Sequence, residues 1–289
     1  MKIAESELIL NPDGSIYHLN LKPEDLAQTV ITVGDPDRVE SISKHFDAIE
    51  VKVHKREFKT HTGTYKGKRI SVISTGIGTD NIDIVFNELD ALVNIDFETR
   101  SVKKTHTQLT IIRVGTSGAI QTDIPMDSFL ISETAIGLDN LLHFYGNTSF
   151  LDESFSEAFM QHTDWSAKKS APYVVNADSS LLKLFSEEKF IKGVTATNVG
   201  FYGPQGRVLR LSLQDAGLND KIASFSFNNK KVTNLEMETS GIYGMAHLLN
   251  HKAISLNAIL ANRANGEFSQ TPQQTVENLI LKTLETITG

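Results

Sequence analysis

Short apolar runs that end in glycine or a small polar residue recur along this chain, and they constrain its fold more than any other feature. Six of them span residues 29–35, 69–78, 109–118, 128–137, 192–200 and 253–263. Amphipathic helical patterns lie between several runs, including one from Glu236 to Asn250 and one that begins at Thr271 and Pro272. Strands that alternate with helices predict an α/β fold on a mixed or largely parallel sheet.

The chain shows no internal boundary. Its 289 residues contain no linker rich in proline, glycine or serine, no repeat and no low-complexity tract. A chain of this length can bury one large core. We therefore expect a single domain over residues 1–289.

Charge and cysteine content exclude several classes of protein. A net charge of −7 argues against nucleic acid as the main partner, so anionic ligands must be held by local cations. The absence of cysteine excludes disulfides, thiolate metal sites and a thiol nucleophile, and it fits a reducing compartment. Neither a signal peptide nor a membrane-spanning apolar run is apparent. These features predict a soluble cytoplasmic protein.

The first strand end carries an arginine close to a glycine. Ligands of open α/β sheets collect at the carboxyl ends of strands, where Gly34 allows close approach to the backbone. Pro36 can open a helix whose N-terminal amides favour an anion, and Arg38 lies in the first turn of that helix. The alternative is a surface arginine that pairs with Asp35 or Asp37.

The stretch IIRVGTSG, residues 111–118, reads as a buried strand that ends in Arg113 and is followed by a turn. The guanidinium is a rigid donor fork that suits phosphate, Gly115 leaves backbone amides open, and Thr116 adds a hydroxyl. The alternative is an internal salt bridge to a carboxylate. Two arginines beside glycine-containing turns favour phosphate. Neither a Walker loop nor a GxGxxG dinucleotide motif is present.

Two further stretches offer sugar and base recognition. Glu236 and Glu238 lie two residues apart at a helix start, so one can cap the helix while the other faces a pocket and accepts sugar hydroxyls. The alternative is a pair of acids favoured by the helix dipole. In FYGPQGR, Phe201 offers a flat apolar surface, and Gln205 and Arg207 can read the edge of a planar heterocycle. The alternative is an ordinary aromatic loop.

Eight segments in this order resemble the nucleoside phosphorylase-I family, from about Tyr17 to the C-terminal helix. They are YHLNL (17–21), VGDPDRVE (33–40), HKREF (54–58), STGIGTDN (74–81), RVGTSGAIQ (113–121), FYGPQGR (201–207), NLEMETS (234–240) and the NR of ILANR (262–263). The resemblance implies a single-domain three-layer α/β/α sandwich with a central mixed β-sheet.

The resemblance also implies a role for each matching position. The implied phosphate ligands are Gly34, Arg38, Arg113 and Thr116, with Arg56 from a neighbouring subunit. The implied ribose ligands are Thr116, Met237 and Glu238, with His18 from the neighbour. The implied base ligands are Phe201, Gln205, Arg207 and Leu260. The implied catalytic residues are Arg38, Arg113, Gln205 and Arg207.

The activity implied by the resemblance is reversible phosphorolysis of uridine in pyrimidine salvage, with deoxyuridine or thymidine as further substrates. The Gln-x-Arg spacing is typical of pyrimidine-specific members, whereas purine-specific members place Ser-Asp where Ala261 and Asn262 stand. Phosphate is a substrate and no organic cofactor is required. Uridine-specific members assemble as hexamers of dimers. The alternatives are a phosphorylase for purines or a broad range of pyrimidines, and a non-catalytic nucleoside-binding protein.

Some family members hold a monovalent cation between paired subunits. Glu57 and Ile77 match two of its ligands, and Asn81 stands where serine is usual. The resemblance thus implies K⁺ at a dimer interface, with Asn81 as a departure from the family pattern.

Overall fold

The computed structural model describes residues 2–186 and 190–289. Its α-helices are α1 (Pro36–Ser43), α2 (Thr79–Asn94), α3 (Glu153–Thr163), α4 (Ser179–Leu184), α5 (Leu218–Ser224), α6 (Thr239–Leu248) and α7 (Pro272–Thr288). Its strands are β1 (Thr29–Val33), β2 (Ala48–Lys55), β3 (Phe58–Tyr65), β4 (Lys68–Ser74), β5 (Ile95–Asp96), β6 (Ser101–Val102), β7 (Thr110–Ala119), β8 (Phe129–Gly137), β9 (Tyr173–Asn176), β10 (Phe190–Thr197), β11 (Ser226–Phe227), β12 (Lys230–Glu236), β13 (Lys252–Asn262) and β14 (Glu267–Phe268).

Twelve of the described strands form one mixed sheet. Its order is β11–β12–β10–β8–β13–β7–β1–β4–β3–β2, with β14 beside β13 and β9 beside β8. Strand β12 also pairs with β7 through Asn234 and Leu235, so β7, β13, β8, β10 and β12 close into a ring of five strands. The six predicted apolar runs contribute β1, β4, β7, β8, β10 and β13, which confirms the predicted mixed sheet.

Helices cover both faces of the sheet because its central strands are apolar on both sides. Val30 and Ile111 pack in the core cluster that contains residues of α2 and α6. Their neighbours Ile31 and Ile112 pack in the cluster that contains residues of α1, α4 and α7. This burial on both faces is typical of central parallel strands. It confirms the predicted three-layer sandwich in one domain. No helix in residues 2–186 and 190–289 could span a membrane.

Two local predictions differ from the structure. The helix predicted from Glu236 begins at Thr239, because Glu236 is still the last residue of β12. The Gly-Thr-Ser-Gly segment at residues 115–118 is no turn, since it continues β7 and pairs with β13. Strand β7 therefore carries Arg113 in its middle rather than at its end.

Gly244 lies in α6 against Leu142. A Cβ at residue 244 would approach Leu142 Cδ1 to 2.3 Å. Alanine is favoured over glycine in a helix by about 1 kcal/mol, but overpacking a core costs about 1–3 kcal/mol. We predict that Gly244→Ala lowers the free energy of unfolding in urea. Adding Leu142→Ala should cost less in this background than in the wild type. A Gly244→Ala protein as stable as the wild type would contradict the packing.

Candidate active site

The candidate site lies where the loops after β1 and β4 meet β7. Strand β1 pairs in parallel with both β4 and β7, which brings these segments side by side. The loop after β4 touches the loop after β1, since a Cβ at Gly34 would lie 3.5 Å from the carbonyl oxygen of Gly76. Arg113 is level with Thr32, near the end of β1.

The Arg113 side chain lies along its own strand and covers Gly115. A Cβ at Gly115 would lie only 1.9 Å from Arg113 Nη1, so glycine is required there to make room for the guanidinium. The sequence-based explanation of Gly115, that it opens backbone amides to a ligand, is therefore replaced by a steric one.

The acceptors that face Arg113 belong to the protein. Nη2 donates to Glu238 Oε2 at 2.7 Å and lies 3.2 Å from Glu236 Oε2. Nη1 donates to Asn257 Oδ1 at 2.9 Å and to Ser255 Oγ at 3.4 Å. Burial disfavours the charge, but the two carboxylates outweigh it and raise the pKa of Arg113. The internal salt bridge, left open as an alternative, is therefore present.

Glu236 and Glu238 accept hydrogen bonds from different groups. Glu236 caps α6: its carboxylate accepts hydrogen bonds from the backbone N–H groups of Glu238 and Thr239, at 2.9 Å each, and from Thr197 Oγ1 at 2.6 Å. Glu238 accepts the Gly78 N–H at 2.9 Å in addition to Arg113. Burial raises the pKa of Glu238, Arg113 opposes this shift, and the charge of Glu236 adds to it. Met237 is half-buried between them.

Arg38 contrasts with Arg113. Asp35 caps α1 by accepting the Asp37 N–H at 2.9 Å, and no described residue accepts a hydrogen bond from the Arg38 guanidinium. Burial and the charge of Arg113 lower the pKa of Arg38, against smaller contributions from Asp35 and Glu238. The Thr116 hydroxyl likewise has no partner within residues 2–186 and 190–289. Guanidinium donors that lack an acceptor and lie near a second cation are suited to an anion.

A second cluster forms around the 201–207 loop. The Arg207 guanidinium lies 3.7 Å from the centre of the Phe201 ring, a cation–π contact. Arg207 Nη1 donates to the Phe201 carbonyl and to Gln205 Oε1, the latter at 2.7 Å. The Gln205 amide is therefore oriented by Arg207. The three side chains that the sequence linked to base recognition lie together.

Arg263, to which the sequence assigned no role, belongs to this cluster. Its side chain lies over Gly118, its Nη1 is buried without a partner, and burial and the charge of Arg207 lower its pKa. Within the described part of the chain, neither arginine pairs with a carboxylate. The signal in the sequence was an arginine directly after β13, in a chain where anions need local cations.

Leu260 and Asn262 make packing contacts and hydrogen bonds within the chain. The register of β13 against β7 shifts at Leu260, and this side chain packs against the core cluster that contains α7. Asn262 is 1% exposed, and its amide nitrogen donates to the carbonyls of Gln121 and Ile124 at 2.9 Å each. Its oxygen accepts the N–H of Ala264 at 3.0 Å.

His18 and Arg56 lie outside both clusters in this chain. His18 Nδ1 lies 2.7 Å from Glu88 Oε1, and its ring packs edge-on against Phe58 at 6.2 Å between centroids. Arg56 is exposed between β2 and β3 with a φ of 56°, which non-glycine residues rarely adopt. His18 packs on Phe58, and Arg56 lies two residues before Phe58 in the turn of the β2–β3 hairpin. The two residues therefore lie in the same region of the surface.

The predicted cation ligands lie near one another. A Cβ at Gly76 would approach Asn81 Nδ2 to 2.4 Å and Glu57 Cγ to 3.0 Å, so both side chains flank Gly76 beside Ile77. A carboxylate, a carbonyl and an amide can supply the oxygen ligands that hard cations prefer. In the described residues, no group of three histidine, aspartate or glutamate side chains is placed to hold a metal ion.

Comparison with known proteins identifies the family of this chain. The family model described as "Phosphorylase superfamily" matches residues 28–288, so the chain belongs to this superfamily. It is 32% identical over 284 residues to a uridine phosphorylase of Thermococcus kodakarensis, covering 94% of this chain and 87% of the relative. It is 29% identical to a DeoD-type purine nucleoside phosphorylase of Shewanella denitrificans, covering 93% of this chain and 96% of that relative.

A solved structure shows the same fold. It is a Trypanosoma brucei nucleoside phosphorylase described as showing uridine phosphorylase activity. This neighbour has a TM-score of 0.85 and 29% sequence identity, and the match covers 97% of this chain and 100% of the other. The nucleoside phosphorylase fold expected from the sequence is thereby confirmed.

The pairing of Arg113 leads to a stability prediction. Arg113→Ala leaves two buried carboxylates without their cation, which should cost about 3–5 kcal/mol in the free energy of unfolding. Arg38→Ala removes a guanidinium without a hydrogen-bond partner and should cost about 1 kcal/mol or less. Equal losses of stability in urea unfolding would contradict this contrast.

Proposed function

We propose that this protein is a uridine phosphorylase, which reversibly converts uridine and phosphate into uracil and ribose 1-phosphate. The Arg38 guanidinium carries the proposal, because its donors have no acceptor among the described residues and a second cation, Arg113, lies close to it. Uridine phosphorylases among the relatives, and the activity stated for the Trypanosoma brucei neighbour, support the same substrate.

Asn262 favours pyrimidines over purines. The four hydrogen bonds of its side chain to the rest of the chain occupy both ends of the amide, and an amide cannot protonate a purine nitrogen as an acid would. Gln205 and Arg207 offer an amide and a guanidinium suited to the carbonyl and N–H edge of uracil. Since purine phosphorylases also match this chain, this difference decides between the two substrate classes.

The proposed reaction is a displacement at C1′ of the ribose. The C1′–N1 bond lengthens, its electron pair moves to the base, and a phosphate oxygen bonds to C1′. Arg38, Arg113, Thr116 and the Gly34 backbone hold phosphate beneath the sugar, with Arg56 from a neighbouring subunit. Holding the nucleophile in line contributes up to about 7–11 kcal/mol in ideal cases. No covalent enzyme intermediate is needed.

Two further groups of residues support this step. Glu238 accepts the ribose hydroxyls, aided by the backbone at Met237, by Thr116 and by the neighbour's His18. Because Gly78 and Arg113 each occupy one side of the Glu238 carboxylate, it meets the sugar in a fixed orientation.

Gln205, Arg207 and Arg263 stabilise the departing uracil anion, while the Phe201 ring packs flat against the base. Losing one such donor costs about 10²–10³ in rate. Leu260 stays a prediction for the wall of the base site.

The proposed assembly is a hexamer built from dimers, in which His18 and Arg56 complete the site of the adjoining subunit. The exposure of Arg56 and its unusual backbone conformation support this sharing. K⁺ at Glu57, Ile77 and Asn81 remains a proposal for the dimer contact, and no catalytic step depends on it. We place the enzyme in the cytoplasm and in pyrimidine salvage.

The decisive assay follows uracil release from uridine by ultraviolet absorbance, with and without phosphate. We predict release that requires phosphate, weaker activity with thymidine, and inosine and adenosine turnover at least about 100-fold lower. Release without phosphate would indicate a nucleosidase. Binding of uridine without any release would indicate the non-catalytic alternative.

Sharing of Arg56 is tested by mixing two inactive variants. Arg38→Ala and Arg56→Ala should each lower kcat/KM for phosphate by about 10²–10³. In a mixed dimer, one of the two sites combines an intact Arg38 with an intact Arg56 from the other subunit. Random mixing during co-expression should therefore restore about one quarter of the wild-type activity. Mixtures as inactive as the separate variants would show that Arg56 serves its own subunit.

A further inference from the structure

A set of buried polar side chains crosses the five-stranded ring of β7, β13, β8, β10 and β12. Its hydrogen bonds run from Arg113 to Asn257 at 2.9 Å, from Asn257 Nδ2 to Ser132 Oγ at 3.1 Å, and on to the hydroxyl of Thr195. Thr195 donates to Asn234 Oδ1 at 2.8 Å, and Asn234 Nδ2 donates to Ser117 Oγ at 2.9 Å. We call these six residues the polar ring. It begins and ends on β7, on either side of Thr116.

The polar ring occupies a space where apolar packing would be expected. Asn257, Ser132, Thr195 and Asn234 are all fully buried. Burying an amide or a hydroxyl is unfavourable unless it is hydrogen-bonded, and a fully satisfied network gains rigidity in exchange. The network therefore ties β7 to the facing strands of the ring, and among its members only Asn257 contacts the Arg113 guanidinium.

Asn257 is the member that holds the guanidinium itself. Its amide nitrogen donates to the hydroxyls of Ser132 and Ser255, so its oxygen must face Arg113. Glu236 and Glu238 bind Nη2 of Arg113. Asn257 at 2.9 Å and Ser255 at 3.4 Å accept hydrogen bonds from Nη1, and the shorter bond to Asn257 is the main restraint on this end of the planar group.

The Asn257 amide is a neutral acceptor, which suits a site that binds an anion. Two carboxylates already face Arg113, and a third would make the site negative despite the charges of Arg38 and Arg113. An amide accepts the hydrogen bond without adding negative charge. With the amide, the two arginines balance the two carboxylates, and the proposed Arg56 of a neighbouring subunit makes the site positive toward phosphate.

We propose that Asn257 is a positioning residue, which holds Arg113 in its phosphate-binding orientation through its direct hydrogen bond to Nη1. The inference rests on the proposed function, because it concerns the phosphate half of the same site. It assigns Asn257 no contact with substrate.

The test replaces Asn257 with leucine, which has a similar shape but no acceptor. We expect KM for phosphate to rise about 10–100-fold, the range for a lost hydrogen bond to a charged group, while KM for uridine changes less than about threefold. The matched control is Thr195→Val, which breaks the polar ring away from Arg113. It should lower the melting temperature but leave KM for phosphate within about twofold of the wild type. An unchanged KM for phosphate in folded Asn257→Leu, or an equal rise in the control, would overturn the proposal.

Phosphate binding can also be followed without turnover. Saturating phosphate should raise the melting temperature of the wild type and of Thr195→Val, and the rise should be smaller in Asn257→Leu. If Asn257→Leu does not fold, Ser132→Ala removes the partner that orients the amide and should weaken phosphate binding about threefold or more. An undiminished phosphate response in Ser132→Ala would then overturn the proposal. A wild type that responds to phosphate but releases no uracil would contradict the proposed function alone.

Discussion

The buried ion pair between Arg113 and the carboxylates of Glu236 and Glu238 organises the centre of this protein. It joins the middle of β7 to the start of α6, where 125 residues separate Arg113 from Glu238. Burying three charges is costly unless each finds partners of good geometry. The surrounding sequence meets this requirement through Gly115, which makes room for the guanidinium, and through Asn257 and Gly78, which supply the remaining hydrogen bonds.

The arginines of the site differ in whether the protein supplies acceptors for their hydrogen bonds. Arg113 is satisfied by the protein and fixes Glu238, whereas Arg38 has no acceptor among the described residues. At the other end, Arg207 is oriented on Phe201 and Gln205, and Arg263 has a buried Nη1 without a partner. Cations without internal partners thus lie at two points, with the Glu238 carboxylate as a further anchor. In the proposed reaction, these side chains bind phosphate, a sugar and a base that becomes anionic.

The strands could be predicted from the sequence because a short apolar run that ends in glycine is typical of a buried strand. All six runs contribute strands, and the alternation of Val30 with Ile31 explains why helices cover both faces. It failed at the Gly-Thr-Ser-Gly segment, because a glycine that accommodates a neighbouring side chain looks the same as a glycine in a turn. It also could not identify the acceptors of Arg113, since Asn257 lies 144 residues away and no local pattern marks such a contact. The arginine directly after β13 is visible in the sequence, whereas the proposed sharing of His18 and Arg56 depends on a second chain.

A crystal structure of the protein with phosphate and a nucleoside tests the central claim most directly. The account predicts phosphate oxygens within hydrogen-bonding distance of the Arg38 guanidinium and the Gly34 amide, with the contacts from Arg113 to Glu238 and Asn257 preserved. A phosphate bound elsewhere, with Arg38 turned to a carboxylate of its own chain, would contradict it.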